Sequence, residues 1–133
     1  MNMQTPSLRF EIANVYGGLA TARGVARAAP DALVLEFEMK DAFVGMLKTA
    51  VREVRIPLEQ LSLLDLRKGW FTTRVVVGTH TVAALHSLPG SESGRLELQV
   101  ARADRRDAET LVSMLTLRIS ERELEQLNHR LTT

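Results

Sequence analysis

A chain of 133 residues suits one domain, long enough to bury a core and too short for two good ones. Its 17 lysines and arginines stand against 16 aspartates and glutamates with no block of like charge, and one Trp and one Tyr leave little for base stacking, so nucleic acid is excluded as a partner. The absence of cysteine rules out disulfides, thiolate nucleophiles and cysteine metal sites; with no basic-then-apolar leader and no run near the roughly 18 apolar residues that span a bilayer, a soluble cytoplasmic protein is expected.

Residues 1 to 7 are polar and expected to fray. Leu8, Phe10 and Ile12 then alternate with Arg9, Glu11 and Ala13, the period of a half-buried strand. Asn14 to Gly18 form a turn. Between Leu19 and Ala28 the alanine content would suit a helix, but Gly24 and the position between two strands favour a weak strand. After the turn at Ala29-Pro30-Asp31 comes the clearest alternation in the chain, with Leu33, Leu35, Phe37 and Met39 on one face and Val34, Glu36, Glu38 and Lys40 on the other.

From Asp41 to Ala50 the apolar residues Phe43, Met46, Leu47 and Ala50 fall at helical spacing, with Gly45 limiting the length. A short helical turn or an irregular apolar connection is expected. Exposed on a monomer, Phe43, Met46 and Leu47 would form an aggregation-prone patch, which makes them candidates for contact with another subunit or for cover over an open end of the fold.

VREVRI is a strand, broken by Pro57, which lacks an amide donor and belongs at a strand end or corner. In the next strand the apolar phase slips between Leu63 and Leu64, the mark of a bulge or bend. Arg67-Lys68-Gly69 is read as a hairpin turn, after which Trp70 and Phe71 open a strand with Phe71, Thr73, Val75 and Val77 on one face. Gly78 to His80 turn the chain, Thr81 to Leu88 is expected as a strand, PGSESG is a loop, and Leu96, Leu98 and Val100 mark the last strand.

The period then becomes 3.6. Ala108, Leu111, Val112, Leu115 and Ile119 form one stripe behind Asp104 as N-cap, predicting a helix over 104–119 that lies on the sheet. Ser120 and Glu123 have the spacing of a capping box, so 120–131 either starts a second helical segment presenting Leu124, Leu127 and Leu131 or continues the first with a kink.

Chemistry-bearing patterns are sparse. His80 and His86 would lie roughly 20 Å apart on a regular strand, and His129 sits in the terminal helix, so no metal site is assembled from them. Glu36 and Glu38 are about 7 Å apart on one strand face, a separation glycosidase carboxylates use, but alternating charge on an outer face is the ordinary pattern. No G-x-S-x-G elbow, dinucleotide fingerprint or phosphate loop occurs. Arg102, Arg105 and Arg106 are interleaved with Asp104 and Asp107 and suit a solvated helix start. Arg67, Lys68 and Trp70 are the candidate contact for acidic lipid headgroups or a partner, because two cations and an indole would share a hairpin tip. The alternative is that Trp70 covers an open end of the barrel.

Strands in series followed by a helix resemble the bacterial pleckstrin-homology-like (PH-like) and GRAM-like domains over roughly residues 8 to 119. The most specific parts are EVRIPLEQLSLLDL (Glu53 to Leu66) and LPGSESGRLELQVARADRRDAETL (Leu88 to Leu111). The resemblance implies a mainly β fold, a partly open barrel of about seven strands capped by a C-terminal helix. The basic residues usual around the first hairpin of phosphoinositide-binding members are missing from NVYGGLA, and the only Trp is Trp70 rather than one in the terminal helix. A non-enzymatic protein-binding or assembly module without cofactor, in which self-association is one option, is therefore expected. A membrane-surface module and a small-ligand barrel or enzyme are the alternatives.

Overall fold

The computed structural model describes residues 6–15, 20–41 and 51–132. Residues 1–5, most of the first turn and the whole apolar connection bearing Phe43, Met46 and Leu47 lie outside them. Seven strands, β1 (Ser7–Val15), β2 (Ala20–Ala28), β3 (Ala32–Asp41), β4 (Arg52–Pro57), β5 (Leu61–Lys68), β6 (Thr73–Thr79) and β7 (Arg95–Val100), form one antiparallel sheet, followed by helix α1 (Arg105–Thr132). The mainly β class with a C-terminal helix is as expected from the sequence.

The strand order is β4-β3-β2-β1-β7-β6-β5, so β4 and β5, neighbours in the chain, are the two edges of the sheet. Only Leu58–Gln60, a 3₁₀ turn after Pro57, joins them. So short a link spans at most about 14 Å. The sheet must therefore curl until its edges nearly meet at this corner, yet they do not pair, and the sheet is not closed into a barrel. Pro57 ends β4 as its missing donor requires.

Curling depends on β2. The register sets Leu8 opposite Ala26 opposite Leu35, then Phe10, Gly24, Phe37, then Ile12, Ala22, Met39. Small residues of β2 thus alternate with large ones of β1 and β3 across the inner face, and the large side chains close over them. At Gly24 a Cβ would fall 1.9 Å from the Glu36 carbonyl oxygen, so only glycine permits this approach of β2 and β3. The poor strand propensity of the segment is outweighed by packing on both sides.

The core is completed by Val75 and Val77 of β6, Leu96, Leu98 and Val100 of β7, and Ala108, Leu111 and Leu115 of α1, all buried. Helix α1 lies against β1, β2, β5 and the β4–β5 corner, so it covers the mouth of the curled sheet. Arg118 donates to the Ala29 carbonyl at 2.6 Å and Arg122 lies 3.4 Å from Glu59, which ties the middle of the helix to the corner.

Four expectations need correction. Thr81 to Leu88 is not a strand: Val82–Leu85 is a 3₁₀ turn with i→i+3 bonds, and Leu85 and Leu88 are buried. Strand β6, which this segment follows, is already paired on both sides by β5 and β7 and offers it no ladder partner. Trp70 and Phe71 do not open β6, which begins at Thr73. The phase slip of β5 comes earlier than the 63/64 step, as a register shift between Leu61 and Leu63 opposite Gly78. Of the two readings of 120–131, continuation of the first helix is the one found, and no second helix starts at Ser120. Its hydroxyl donates to the Thr116 carbonyl at 3.1 Å, four residues back, so it is a side chain within a continuous helix of 28 residues rather than a cap.

Candidate functional site

The β5–β6 hairpin carries the most exposed large apolar side chains among the described residues. Arg67 pairs with Arg74 and Lys68 with Thr73 in the ladder, leaving Gly69–Thr72 as a four-residue tip closed by the Gly69 amide donating to the Thr72 carbonyl at 2.8 Å. A Cβ at Gly69 would stand 2.6 Å from that same oxygen, which explains the glycine. Arg105 at the start of α1 braces the tip, its Nε donating to Thr73 Oγ1 at 2.9 Å and its Nη2 to the Gly69 carbonyl at 3.1 Å. Thr73 is fully buried, so this bond also satisfies a core hydroxyl.

On this braced turn Trp70 is 86% and Phe71 81% exposed. Trp70 therefore does not cover an open end of the sheet, and Phe71 does not join Thr73, Val75 and Val77 on the inner face. The two cations beside them are engaged. Lys68 pairs with Glu109 of α1, and Arg67 Nε donates to Asp65 at 3.3 Å. Hydrogen bonding from Lys68, reinforced by its charge, holds the Glu109 carboxyl below the usual glutamate range. The sequence grouped Arg67, Lys68 and Trp70 as one contact and read Arg67-Lys68-Gly69 as the turn; the structure puts Arg67 and Lys68 in the last ladder pairs of β5, beside the tip and already ion-paired, and leaves an uncovered Trp-Phe pair on the turn itself.

Next to the tip, a groove of about 650 Å³ opens between β1 and the end of β7, with Thr72 at its rim. It exists because β1 meets β7 at a single register pair among the described residues, Glu11 with Gln99, before the chain leaves β7 for the 3₁₀ turn Arg102–Asp104. Four of its five charged side chains pair locally, Arg9 donating to Asp104 at 2.9 Å and Arg23 lying 3.1 Å from Glu11, and Glu38 also lines it. The hydrogen bond to Asp104, then its charge, raises the Arg9 guanidinium further above its ordinary range. Asp104, expected as a helix cap, directs its carboxylate to this arginine.

The remaining candidates are dispersed. Glu36 is held by Arg27 at 2.9 Å, with Glu53 3.7 Å from the same guanidinium, so the carboxylates of the outer face belong to a cross-strand ladder. His80 and His86 flank the 3₁₀ turn rather than sharing a strand, and among the described residues no three His, Asp or Glu side chains are grouped to hold a metal ion. Among the described residues no helix is long and apolar enough to cross a membrane.

Helix α1 carries a second surface. Leu117, Leu124, Leu127 and Leu131 are 60%, 59%, 52% and 76% exposed. At about 100° per residue they cluster roughly 160° around the helix from the stripe of Ala108, Leu111, Leu115 and Ile119 that meets the sheet. Leu124, Leu127 and Leu131 stand out in the sequence; Leu117 joins them only through the 7-3-4 spacing from 117 to 131. Arg105 as the brace of the tip has no local sequence pattern. No protein-family model, curated protein or solved structure matches the chain.

Proposed function

We propose that this chain is a non-enzymatic binding and assembly module of the PH-like kind, acting in the cytoplasm by contacting protein. The observation that carries the reading is the second apolar face of α1. A helix that is apolar on one side only is satisfied by the sheet beneath it, whereas Leu117, Leu124, Leu127 and Leu131 point away from that sheet. The strand order, the helix after β7 and the corner at Pro57 support the PH-like part of the reading. The absence of cysteine suits a reducing compartment. A photo-cross-linking residue placed at Leu124 in cells tests the protein-contact reading. A cross-linked product heavier than the chain is expected; recovery of the chain alone would overturn it.

The uncovered Trp70 and Phe71 favour a second reading, a peripheral contact with a membrane surface. Aromatic side chains on a braced hairpin suit the interfacial region of a bilayer, and acidic headgroups would compete with Asp65 and Glu109 for Arg67 and Lys68. Sedimentation with vesicles with and without anionic lipid tests it. Binding that disappears in Trp70→Ser/Phe71→Ser supports this reading, and no sedimentation with either vesicle refutes it.

A further inference from the structure

The exposed leucines of α1 have the spacing of a coiled-coil seam. Leu117, Leu124 and Leu131 are seven apart and Leu127 lies three after Leu124, which places 117, 124 and 131 at a positions and Ser120 and Leu127 at d positions of a heptad. We infer that the solvent face of α1 pairs antiparallel with the same face of a second copy, so that Leu124 of each copy packs against Leu127 of the other. This rests on the protein-contact reading above and names its partner.

Charge selects the orientation and the register. In an antiparallel pair centred between residues 124 and 127, Glu123 of one copy flanks the seam beside Arg130 of the other, and the two-fold axis repeats the pair. Sliding the helices by one heptad, so that Leu117 meets Leu127, brings Glu123 against its own copy, two like charges at the seam. A parallel pair puts Glu123 against Asn128, with no charge complement. The antiparallel register centred at 124–127 is thus the one that sets opposite charges side by side twice and brings no like charges together. Ser120, the one polar residue of the seam, faces Leu131 at either end of the contact.

Geometry permits it. The sheet contacts the opposite side of α1, through Ala108, Leu111, Leu115 and Ile119, and the tie to Glu59 is made by Arg122 on that side. The second copy thus approaches from the side away from the sheet. From Ser120 to Leu131 the paired seam is about 17 Å long and one helix diameter, about 10 Å, wide, with Leu117 just past its end. Counting both copies, such a contact buries on the order of 600 Å², short of the roughly 1,000 Å² of a stable specific interface, so a weak and concentration-dependent dimer results.

Sedimentation equilibrium of the purified chain over about 1 to 500 µM, a range bracketing a weak interface, is expected to show mass rising from 14.8 kDa toward twice that value. Leu124→Ser/Leu127→Ser is expected to remain monomeric with an unchanged circular dichroism spectrum, since both side chains are exposed in the single chain. Glu123→Arg and Arg130→Glu should each weaken the dimer roughly tenfold, and the double exchange should restore it. A monomer at every concentration, a dimer indifferent to the leucine substitutions, or charge reversals that are not mutually corrected would each overturn the antiparallel pair. A monomeric purified chain that still cross-links to another protein through position 124 would leave the protein-contact reading standing, whereas no cross-link at all removes both.

Discussion

Replacing Gly24 with alanine sets two effects of opposite sign against each other. An alanine lowers the conformational entropy of the unfolded chain and suits a strand better, a gain of about 0.5 to 1 kcal/mol where its Cβ has room. Here it has none. The methyl group would lie 1.9 Å from the Glu36 carbonyl oxygen and 2.7 Å from the Phe37 Cα, both backbone atoms that no rotamer change can move. Reaching ordinary contact requires β3 to retreat by roughly 1.5 Å, enough to break one or two ladder hydrogen bonds at about 1 kcal/mol each and to disturb the Phe10–Gly24–Phe37 row. A net loss of about 2 to 4 kcal/mol is expected from urea titration, read as a lower midpoint at unchanged slope. Val25→Ala, one residue on and facing outward, serves as control and should cost under about 1 kcal/mol. An unchanged or raised midpoint for Gly24→Ala would refute the claim that the sheet curls on this glycine.

Leu111→Ala and Leu115→Ala remove side chains that are 1% and 0% exposed and should each cost about 2 to 5 kcal/mol in the same titration; losses under about 0.5 kcal/mol would mean that α1 does not close the sheet. Arg105→Ala strips the partner from the buried Thr73 hydroxyl and unbraces the hairpin tip, so a loss of about 1 to 2 kcal/mol is expected together with faster hydrogen exchange of the Gly69 amide, and exchange at the wild-type rate would deny Arg105 that role. Glu109 has its folded-state pKa depressed by Lys68, so its small contribution is present above the ordinary glutamate value of 4.5 and is lost as pH falls through the lower folded value. Carboxyl NMR titration should show this depression abolished in Lys68→Met, and an unmoved titration in that variant would reject the pairing.

Much of the architecture was legible because strands reveal themselves by alternation. Leu33 to Met39 and Leu96 to Val100 each keep one face apolar over several residues, and both are strands with that face in the core. Thr81 to Leu88 was misread because Val, Ala and Leu in a short run fit a strand or a tight turn equally well. What decides between them is whether an unpaired edge lies alongside, which is a property of the sheet. Ser120 left two readings open for the converse reason: its spacing to Glu123 satisfies a local rule for a new helix, but the sheet and Arg118 hold the turns before it and Arg122 the turn after it, so the helix continues through.

The candidate surfaces were partly legible. Trp70 was identified as a tip residue from its neighbours, but Phe71 was turned inward by extending the strand alternation two residues too far. The four-residue closure from Gly69 to Thr72 moves the start of β6 to Thr73 and leaves both aromatics outside. The charge state of the tip was not readable, because Glu109 reaches Lys68 from a helix 41 residues away in the chain.

By itself the sequence determined what depends on neighbours along the chain: a mainly β domain, a corner at Pro57, a terminal helix from about residue 104 and the apolar stripe of Ala108, Leu111 and Leu115. Only the tertiary structure decided which stripe meets the sheet, that β4 and β5 become its opposite edges, and that β2 can be lined with alanine and glycine. The physical reason is that burial is shared between segments. Gly24 is poor strand material considered alone and is indispensable between Phe10 and Phe37, while Leu124 and Leu127, as apolar as any core leucine, stay in solvent because the sheet beneath α1 has already been covered by Ala108, Leu111 and Leu115.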